Sequence, residues 1–224
     1  MSDLMLDVDQ AGELKAAFRR SDWTNGQIKR LCEGDILFRI RQVLENKAEI
    51  VMKKVEEAVV VILTLVKTIT TPAIAGKKTA DCFTNKSRYY YRDNNLDNWL
   101  PKDQPAQAES KFSVQKLAHS ATFKQAVESF LGVNGDIETL AKALKDRGAI
   151  TTLPTIESLI ERQEASKDVG LLTDIWASFF FVENKDGGVS VVYASRCGRL
   201  WHVSVYRLGR VYVWFAAYRF FFRN

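Results

Sequence analysis

Histidine, cysteine and proline are scarce in this sequence of 224 residues, which contains 2, 3 and 4 of them respectively. The cysteines, Cys32, Cys82 and Cys197, are odd in number, lie far apart and include no CxxC pair. That spacing is neither a disulfide framework nor a zinc-ligand pattern, so we expect small buried thiols in a reducing compartment. His119 and His202 have no neighbours at metal-ligand spacing, and we predict neither a metal ion nor a cofactor.

A long apolar segment is also missing. The most apolar stretch, residues 58–66, is followed directly by Lys67 and has about half of the ~20 residues that a membrane-spanning helix needs. We therefore interpret it as a buried element. Asp3, Asp7 and Asp9 lie where a secretory signal peptide would have a basic segment and then an apolar one. These absences predict a cytoplasmic protein that has no membrane partner.

Motifs of nucleotide-binding and hydrolytic enzymes are absent. The sequence has no GxGxxG, GxSxG or HExxH, and Gly76-Lys-Lys-Thr79 is not a phosphate-binding loop, because Thr71 stands where the first glycine is needed. Asp81, Asp93 and Asp97 could supply a carboxylate pair or a cation site, although polar loops often contain such residues. An enzyme with an unrecognised carboxylate site is therefore an alternative, and a non-enzymatic function is favoured.

Acidic residues are absent from Gly187 to Asn224, although this segment contains six arginines. Those arginines are Arg196, Arg199, Arg207, Arg210, Arg219 and Arg223. Because residues 1–186 are nearly neutral, the net charge of +5 belongs to the C-terminal segment. Aromatic residues are interleaved with the arginines throughout it.

The N-terminal region, residues 1–47, predicts three short helices. An aspartate can cap the first helix, and Thr24 with Gln27 has the form of a capping box for the second. The third helix follows a Gly-Asp pair and has an amphipathic apolar stripe. We expect the apolar residues of these helices, such as Leu14 and Ile40, to face inward.

Residues 48–100 form a mixed region. Between 48 and 71, charged helix-favouring residues give way to β-branched ones, so we expect a helix followed by a strand that ends at Pro72. Tyr89-Tyr90-Tyr91 predicts another strand, followed by a turn-rich loop. Residues 101–110 contain two prolines and few apolar side chains, and we predict that they form a linker.

Residues 111–224 predict helices followed by an antiparallel sheet. Thr122 and Asp136 mark the starts of two helices, and a proline suits the first turn of a third. A turn at 184–188 and two later turns separate strands of period two, the last of which includes 211–215. The sequence therefore predicts an α+β fold, with N-terminal short helices, a mixed middle, and then helices packed on a C-terminal antiparallel β-meander.

Two parts of the chain carry a resemblance to known sequences. They are the series Leu6-Asp-Val-Asp-Gln-Ala11, Phe18-Arg-Arg20, Trp23-Thr-Asn25, Glu33-Gly-Asp35 and Ala48-Glu-Ile50, and the later stretches Lys77–Phe83 through Trp99-Leu-Pro101 and Phe179–Asn224. These stretches resemble a group of small, uncharacterised proteins from reduced-genome candidate-phylum bacteria. The resemblance covers most of the chain and implies no activity, cofactor or site residue.

Three classes of function remain open. A non-enzymatic protein-interaction or assembly module is the hypothesis that requires the fewest additional features, because tryptophan, tyrosine and arginine are the usual hot-spot residues of interfaces. In the second class, arginines neutralise phosphates while rings stack on the bases of a nucleic acid. A helix-turn-helix within 136–164 is a weaker form of it, since Glu157, Glu161 and Glu164 would repel phosphates. The enzyme described above is the third class.

The residues that we predict to form the binding surface are Arg199, Arg207, Arg210, Arg219, Trp201, Tyr206, Tyr212 and Trp214. The sequence does not fix which of these rings point outward, because a shift of one residue in register exchanges the two faces of a strand. We expect the partner to be a protein or a second copy of the chain, with a nucleic acid as the alternative.

Overall fold

The computed structural model describes residues 7–33, 36–47 and 62–224 of the chain. They belong to two compact units, Met1–Glu56 and Glu57–Asn224. The described strands all lie in the larger unit and most of them follow residue 100, with helices in both units. The chain therefore has the α+β fold that the sequence predicts.

The smaller unit contains the three predicted helices, which are α1 (Val8–Arg20), α2 (Asn25–Leu31) and α3 (Ile36–Leu44). Asp7 caps α1, and its carboxylate accepts a hydrogen bond of 2.7 Å from the backbone N–H of Gln10. Thr24 and Gln27 form the predicted capping box of α2. Each cap satisfies backbone donors only three residues away, so the local sequence is enough to predict it.

The apolar residues of these helices do not face inward as expected. Neither α1 nor α2 contains a buried residue, and Leu14 is exposed. In α3, the side chains of Phe38, Ile40 and Leu44 are exposed as well. Three short helices enclose too little volume to bury such a stripe by themselves.

The described part of the larger unit contains nine strands. They are β1 (Leu63–Thr71), β2 (Lys77–Lys78), β3 (Tyr89–Arg92), β4 (Asp103–Gln104), β5 (Ser110–Leu117), β6 (Ala177–Glu183), β7 (Val189–Cys197), β8 (Leu200–Arg207) and β9 (Arg219–Arg223). Strands β2 and β4 form a separate pair, and the other seven form one mixed sheet in the order β1-β5-β9-β6-β7-β8-β3.

The predicted C-terminal meander is present only in part. Strands β6, β7 and β8 are antiparallel neighbours, joined by the two predicted hairpin turns. Strand β9, however, returns between β5 and β6, antiparallel to β5 and parallel to β6. Strand β3 pairs with β8 in parallel. These pairings join segments that are far apart in the chain. The alternation of apolar and polar residues along one strand does not indicate which other strand it pairs with.

The prediction of a strand at 211–215 is wrong. Residues 208–218 instead form a loop, here named the aromatic loop, whose bridge to the rest of the unit joins Trp214 to Ala121. The backbone N–H of Trp214 donates to the carbonyl of Ala121 at 2.8 Å. Both edges of the preceding strand, β8, are already paired, so the chain that leaves it has no open edge there to extend.

Two expectations for the middle region have different outcomes. Strand β1 confirms the β part of 48–71, whereas the helix expected before it lies outside the described residues. Residues 101–110 do not behave as a linker, because they include β4 and the bridge of Gln107 to Ile74. Gln107 is buried, and its side chain accepts a hydrogen bond of 2.9 Å from Thr151. The prolines interrupt regular structure here without separating two bodies.

Four α-helices of the described chain accompany the sheet, namely α4 (Asn95–Trp99), α5 (Phe123–Leu131), α6 (Ile137–Asp146) and α7 (Leu153–Glu164). Helices α5 and α6 cover one face, where Phe179 and Phe181 of β6 are buried. Helix α7 covers the other face, where Phe180 and Val182 of the same strand are buried. Because side chains alternate along a strand, β6 contributes to a core on each face.

This two-sided arrangement contradicts the helix-turn-helix alternative. Leu140 and Leu144 of α6 belong to the core on one face, whereas Ile156 and Leu159 of α7 belong to the core on the other. A helix-turn-helix requires its two helices to pack against each other. The two helices are therefore separate layers on a sheet.

The residues of the apolar stretch 58–66 that the structure describes are buried only in part. Ile62 is buried, whereas Leu65 and Val66 are largely exposed on β1, which is an edge strand of the sheet. Across the described ranges, no helix has both the length and the apolar character needed to span a membrane.

The three cysteines do not share the buried environment expected for them. Cys82 is buried, and burial raises the pKa of its thiol to about 12. Cys32 and Cys197 are exposed and unpaired. Cys197 ends β7 at a hairpin turn, where its side chain meets solvent.

Candidate binding surface

Four of the eight predicted binding residues come together at the end of β8 and in the aromatic loop. The guanidinium carbon of Arg210 lies 3.9 Å from the ring centroid of Tyr206 and 4.2 Å from that of Tyr212. The ring of Trp214 lies 5.8 Å from the ring of Tyr206. A short turn after β8 therefore brings one cation and three aromatic rings into a single cluster.

Trp201 does not belong to this cluster. Its side chain is fully buried on the α7 face, and its indole N–H donates to Glu164 at 3.1 Å. A ring covered in this way has no open face for a ligand, so the structure gives no support to its prediction as a binding residue.

The three other predicted arginines also lie apart from the cluster. Arg199 is exposed in the turn between β7 and β8. Arg207 covers the ring of Trp99 in α4, with 4.3 Å from its guanidinium carbon to the ring centroid. Arg219 begins β9, where its guanidinium donates to the carbonyl of Ala217 at 3.4 Å. The predicted set thus has one compact cluster and three separate cations.

The sheet extends the cluster as a row of rings on its α5–α6 face. Tyr193 of β7 lies between His202 and Tyr206 of β8, with ring centroids 5.2 and 5.1 Å away. Because Tyr193 is opposite Ser204 in the antiparallel register, these two rings are its diagonal neighbours. The rings of Tyr193 and Tyr206 are almost parallel, at 11°. Each of these two rings therefore has one face covered by the other, and Tyr206 also contacts the guanidinium of Arg210.

His202 is fixed in this row by two tyrosine hydroxyl groups. Its Nδ1 lies 2.9 Å from the hydroxyl of Tyr90, and its Nε2 lies 2.9 Å from the hydroxyl of Tyr193. A neutral imidazole has one N–H donor and one acceptor nitrogen, so one hydroxyl donates to the ring and the other accepts from it. Burial lowers the pKa of His202, and the carboxylate of Asp93 opposes this effect. Burial also raises the pKa of Tyr193. Both shifts favour the uncharged forms of these two side chains.

The outer part of the aromatic loop is apolar and exposed. Val211 is 85% exposed, and the side chains of Tyr212, Val213 and Phe215 are between 57% and 60% exposed. Phe215 also contacts the ring of Trp176, with 6.2 Å between the two centroids. Several large apolar side chains exposed side by side are typical of an interaction surface.

Two N–H donors of the cluster are buried without an acceptor in the described chain. They are the Nε of Arg210 and the indole nitrogen of Trp214. A buried donor without a partner costs about 1–3 kcal/mol, and native structures seldom leave one without a reason. The cluster therefore has unused hydrogen-bonding capacity.

The arginines of the C-terminal segment form no ion pair with any carboxylate of the described chain, in contrast to the cations at 77, 88 and 92. These arginines are Arg196, Arg199, Arg207, Arg210, Arg219 and Arg223. The segment contains no acidic residue of its own, and carboxylates such as Glu157, Glu164 and Asp97 bind other cations. Its arginines therefore have no carboxylate partner in the described chain.

Two of the three aspartates considered for a carboxylate site, Asp93 and Asp97, bind groups of the fold. Asp97 binds the guanidinium of Arg92 through both oxygens, at 2.7 and 2.8 Å. Asp93 accepts a hydrogen bond from Ser204 and another from the backbone N–H of Asn95. Over the described ranges, no three His, Cys, Asp or Glu side chains form a group that could hold a metal ion. Asp93 and Asp97 therefore have structural partners.

Tyr90 and His202 belong to the surface and were not among the predicted binding residues. Alternation along β8 indicates that His202 and Tyr206 share a face, and the predicted turn at 196–199 gives the register that brings Tyr193 between them. Tyr90 has no such signal, because β3 reaches β8 through a parallel pairing over more than a hundred residues.

The fold and this surface define a class: an α+β unit in which a row of aromatic rings on a mixed sheet leads to a cluster of one arginine and three rings. No known family model matches the sequence, and no curated protein or solved structure is significantly similar to it.

Proposed function

We propose that the chain is a non-enzymatic protein-interaction module that binds its partner through the aromatic loop and the neighbouring row of rings. The observation that carries the proposal is the exposed apolar stretch Val211–Phe215, which stands beside a cluster of tyrosine, tryptophan and arginine. Burying such side chains provides most of the binding energy of protein interfaces, and the same three residue types dominate their hot spots.

The charge of the surface favours an acidic partner over a second copy of the chain. At this surface Arg210 has no carboxylate partner within the described chain. In a symmetric dimer the same patch meets itself, so like charges would face each other across the contact. A different protein with an acidic rim around an apolar centre avoids that repulsion. Self-assembly is therefore the less favoured form of the proposal.

The compartment that we propose is the cytoplasm. Cys32 and Cys197 are exposed, and the structure pairs neither of them with another cysteine. Exposed free thiols persist in a reducing compartment, whereas oxidising compartments favour disulfides.

The test compares two matched pairs of substitutions in the full chain. The loop variant carries Val211→Ser and Val213→Ser, and the control carries Leu65→Ser and Val66→Ser in β1, at the far end of the sheet. Each protein is crosslinked in lysate of the source cells at moderate salt, and peptides joined to residues 208–218 are identified by mass spectrometry. We expect one acidic partner in the wild type and in the control, and roughly tenfold less of it with the loop variant.

Retention of the same crosslinked partner by a folded loop variant would contradict the proposal. Sedimentation of the purified proteins separates the two forms of it, because a dimer lost only in the loop variant would replace the acidic partner with a second copy of the chain. Circular dichroism of both variants checks that their folds remain intact.

Nucleic-acid binding is the second candidate function. The acid-free surface and the exposed rings of Tyr91 and Tyr212 favour it. It ranks second because bases stack on open ring faces, whereas Tyr193 and Tyr206 cover each other. Binding of single- and double-stranded DNA and RNA at low and moderate salt tests it, with an Arg199/Arg207/Arg210→Ala variant as the comparison. Salt-sensitive binding lost in the folded variant would make it the first candidate, and no binding at low salt would exclude it.

A further inference from the structure

We propose that Arg210 is a carboxylate-binding anchor for the acidic partner, with the indole N–H of Trp214 as a neighbouring donor. This inference rests on the proposed function and names the chemical group that the surface recognises. It draws on three observations: the position of the guanidinium, the donors that lack acceptors, and the apolar surroundings of the cluster.

The guanidinium of Arg210 is positioned before any ligand arrives. It lies over the ring of Tyr206 at 3.9 Å and over that of Tyr212 at 4.2 Å, which limits its rotation. The ring of Tyr206 also stacks on that of Tyr193, so the ring that supports the guanidinium is itself held in place. Rings that cover a guanidinium leave the N–H groups along its edge as the bonding groups, and that planar edge matches a carboxylate.

The donors of the site have no acceptors in the fold. The Nε of Arg210 is buried without a hydrogen bond, as is the indole nitrogen of Trp214, and both side chains contact Tyr206. The guanidinium forms no ion pair with a carboxylate of the described chain. Elsewhere in the unit, arginines that serve the fold, such as Arg88, bind a carboxylate within 2.7 Å. A ligand oxygen would supply what the fold does not.

A protein carboxylate fits the surroundings better than a phosphate backbone does. A nucleic acid contacts several cations in succession, whereas Arg207 lies over Trp99 and Arg199 is in the turn at the opposite end of β8. The side chains exposed beside Arg210 are Val211 and Val213, which are apolar. Arginine, tryptophan and tyrosine are the residue types that most often dominate the binding energy of a protein interface.

The experiment follows the Arg210 Nε–H and Trp214 indole N–H signals of the full chain by NMR during titration. The probes are an acetylated Glu-Leu-Glu-Leu tetrapeptide, its Gln-Leu-Gln-Leu counterpart and inorganic phosphate. We expect both signals to shift saturably with the acidic peptide, and the other arginine signals to remain in place. Arg210→Gln and Arg210→Lys should each weaken the peptide roughly tenfold or more, because lysine lacks the planar fork. Arg199→Gln is the matched control, and it should bind like the wild type.

Three outcomes would overturn the inference: no shift at Arg210, equal shifts at all arginines, or tighter binding of phosphate than of the acidic peptide. The last of these would point to a phosphate ligand. Failure of this site is distinguishable from failure of the proposed function. If the aromatic-loop variant loses its crosslinked partner while Arg210 does not respond to the peptide, the interaction module stands and the carboxylate anchor falls. If Arg210 responds but the loop variant keeps the partner, the interaction module falls.

Discussion

The cations packed around α7 and the arginines of the C-terminal strands differ in what they bind. On the first side, Lys77 bonds Glu157 at 2.6 Å, and Arg88 bonds Glu161 and Glu164 at 2.6 and 2.7 Å. Among the C-terminal strands, in contrast, no arginine of residues 187–224 bonds a carboxylate of the described chain. Several of these arginines lie over aromatic rings instead. The first set of charges is paired with carboxylates of the fold, whereas the second has no carboxylate partner in the described chain.

The spacing of the acidic residues along α7 accounts for the first set. Glu157, Glu161 and Glu164 follow one another at four and three residues, so they share one side of the helix. That side meets the segment carrying Lys77 and Arg88. The negative charge that made α7 unsuitable as a DNA-recognition helix is therefore neutralised within the protein.

The largest effect is expected at Glu157, which joins two parts of the fold. Its carboxylate accepts hydrogen bonds from Lys77 and, at 2.8 Å, from the backbone N–H of Phe83, a buried residue with φ of 59°. Glu157→Ala removes both bonds and leaves the Phe83 N–H without an acceptor. We expect a loss of about 2–4 kcal/mol in the free energy of unfolding, measured by urea denaturation.

Glu161→Ala is the matched control for that substitution. Its side chain is 51% exposed and binds Arg88 alone, so the loss should be about 1 kcal/mol or less. Equal losses from the two substitutions would mean that the ion pairs around α7 do not hold the 77–83 segment in place.

The next prediction compares an arginine that is paired with α7 with an arginine of the C-terminal segment. Arg88→Ala breaks two ion pairs and should lower the free energy of unfolding by about 1–3 kcal/mol. Arg210→Ala leaves no carboxylate unpaired and removes only ring contacts, so we expect about 1 kcal/mol or less. Urea denaturation of the two variants measures the difference. A larger loss for Arg210 than for Arg88 would break the distinction between structural and available cations.

A smaller effect concerns the pH dependence of stability. Because burial lowers the pKa of His202, the unfolded chain binds more protons than the folded chain below the unfolded pKa of about 6.5. The contribution of His202 to the free energy of unfolding is therefore fully present above that pH. It is lost as the pH falls toward the lower pKa of the folded state. Between about pH 7.5 and about pH 5, the wild type should lose more stability than His202→Gln, which cannot titrate. Thermal melts across this range measure it, with His119→Gln, at an exposed site, as the control. Parallel profiles for wild type and His202→Gln would contradict the burial of this ring.

The last prediction concerns reactivity and leaves the fold unchanged. Cys82, beside the paired cations, is buried and its pKa is raised to about 12, whereas Cys197, near the unpaired arginines, is exposed. A thiol-specific reagent at neutral pH should modify Cys32 and Cys197 in the native protein, and Cys82 only after denaturation. Mass spectrometry of the labelled peptides checks this. Rapid labelling of Cys82 under native conditions would show that the core around α7 opens readily.

Features that depend on a few neighbouring residues could be predicted from the sequence. The capping boxes at Thr24 and Thr122 join groups three residues apart, and Gly132 ends α5 with φ of 74°, which glycine adopts without strain. The hairpin turn at 184–188 is equally local, because the side-chain oxygen of Asn184 accepts from the backbone of Gly188 at 2.8 Å. The grouping of Tyr206, Arg210, Tyr212 and Trp214 was also predictable from the sequence, because these four residues lie within nine positions of one another.

The sequence by itself determined the class of the fold, most of its helix starts and the positive charge of the C-terminal segment, which contains no acidic residue. These features follow from composition and local hydrogen bonds. Only the tertiary structure decided that β9 lies between β5 and β6, that 211–215 is a loop, and that Trp201 is buried while Tyr206 belongs to the surface. Those outcomes depend on which strand edges are already paired and which face a helix covers. Both are set by contacts between residues far apart in the chain, and a local period does not record them.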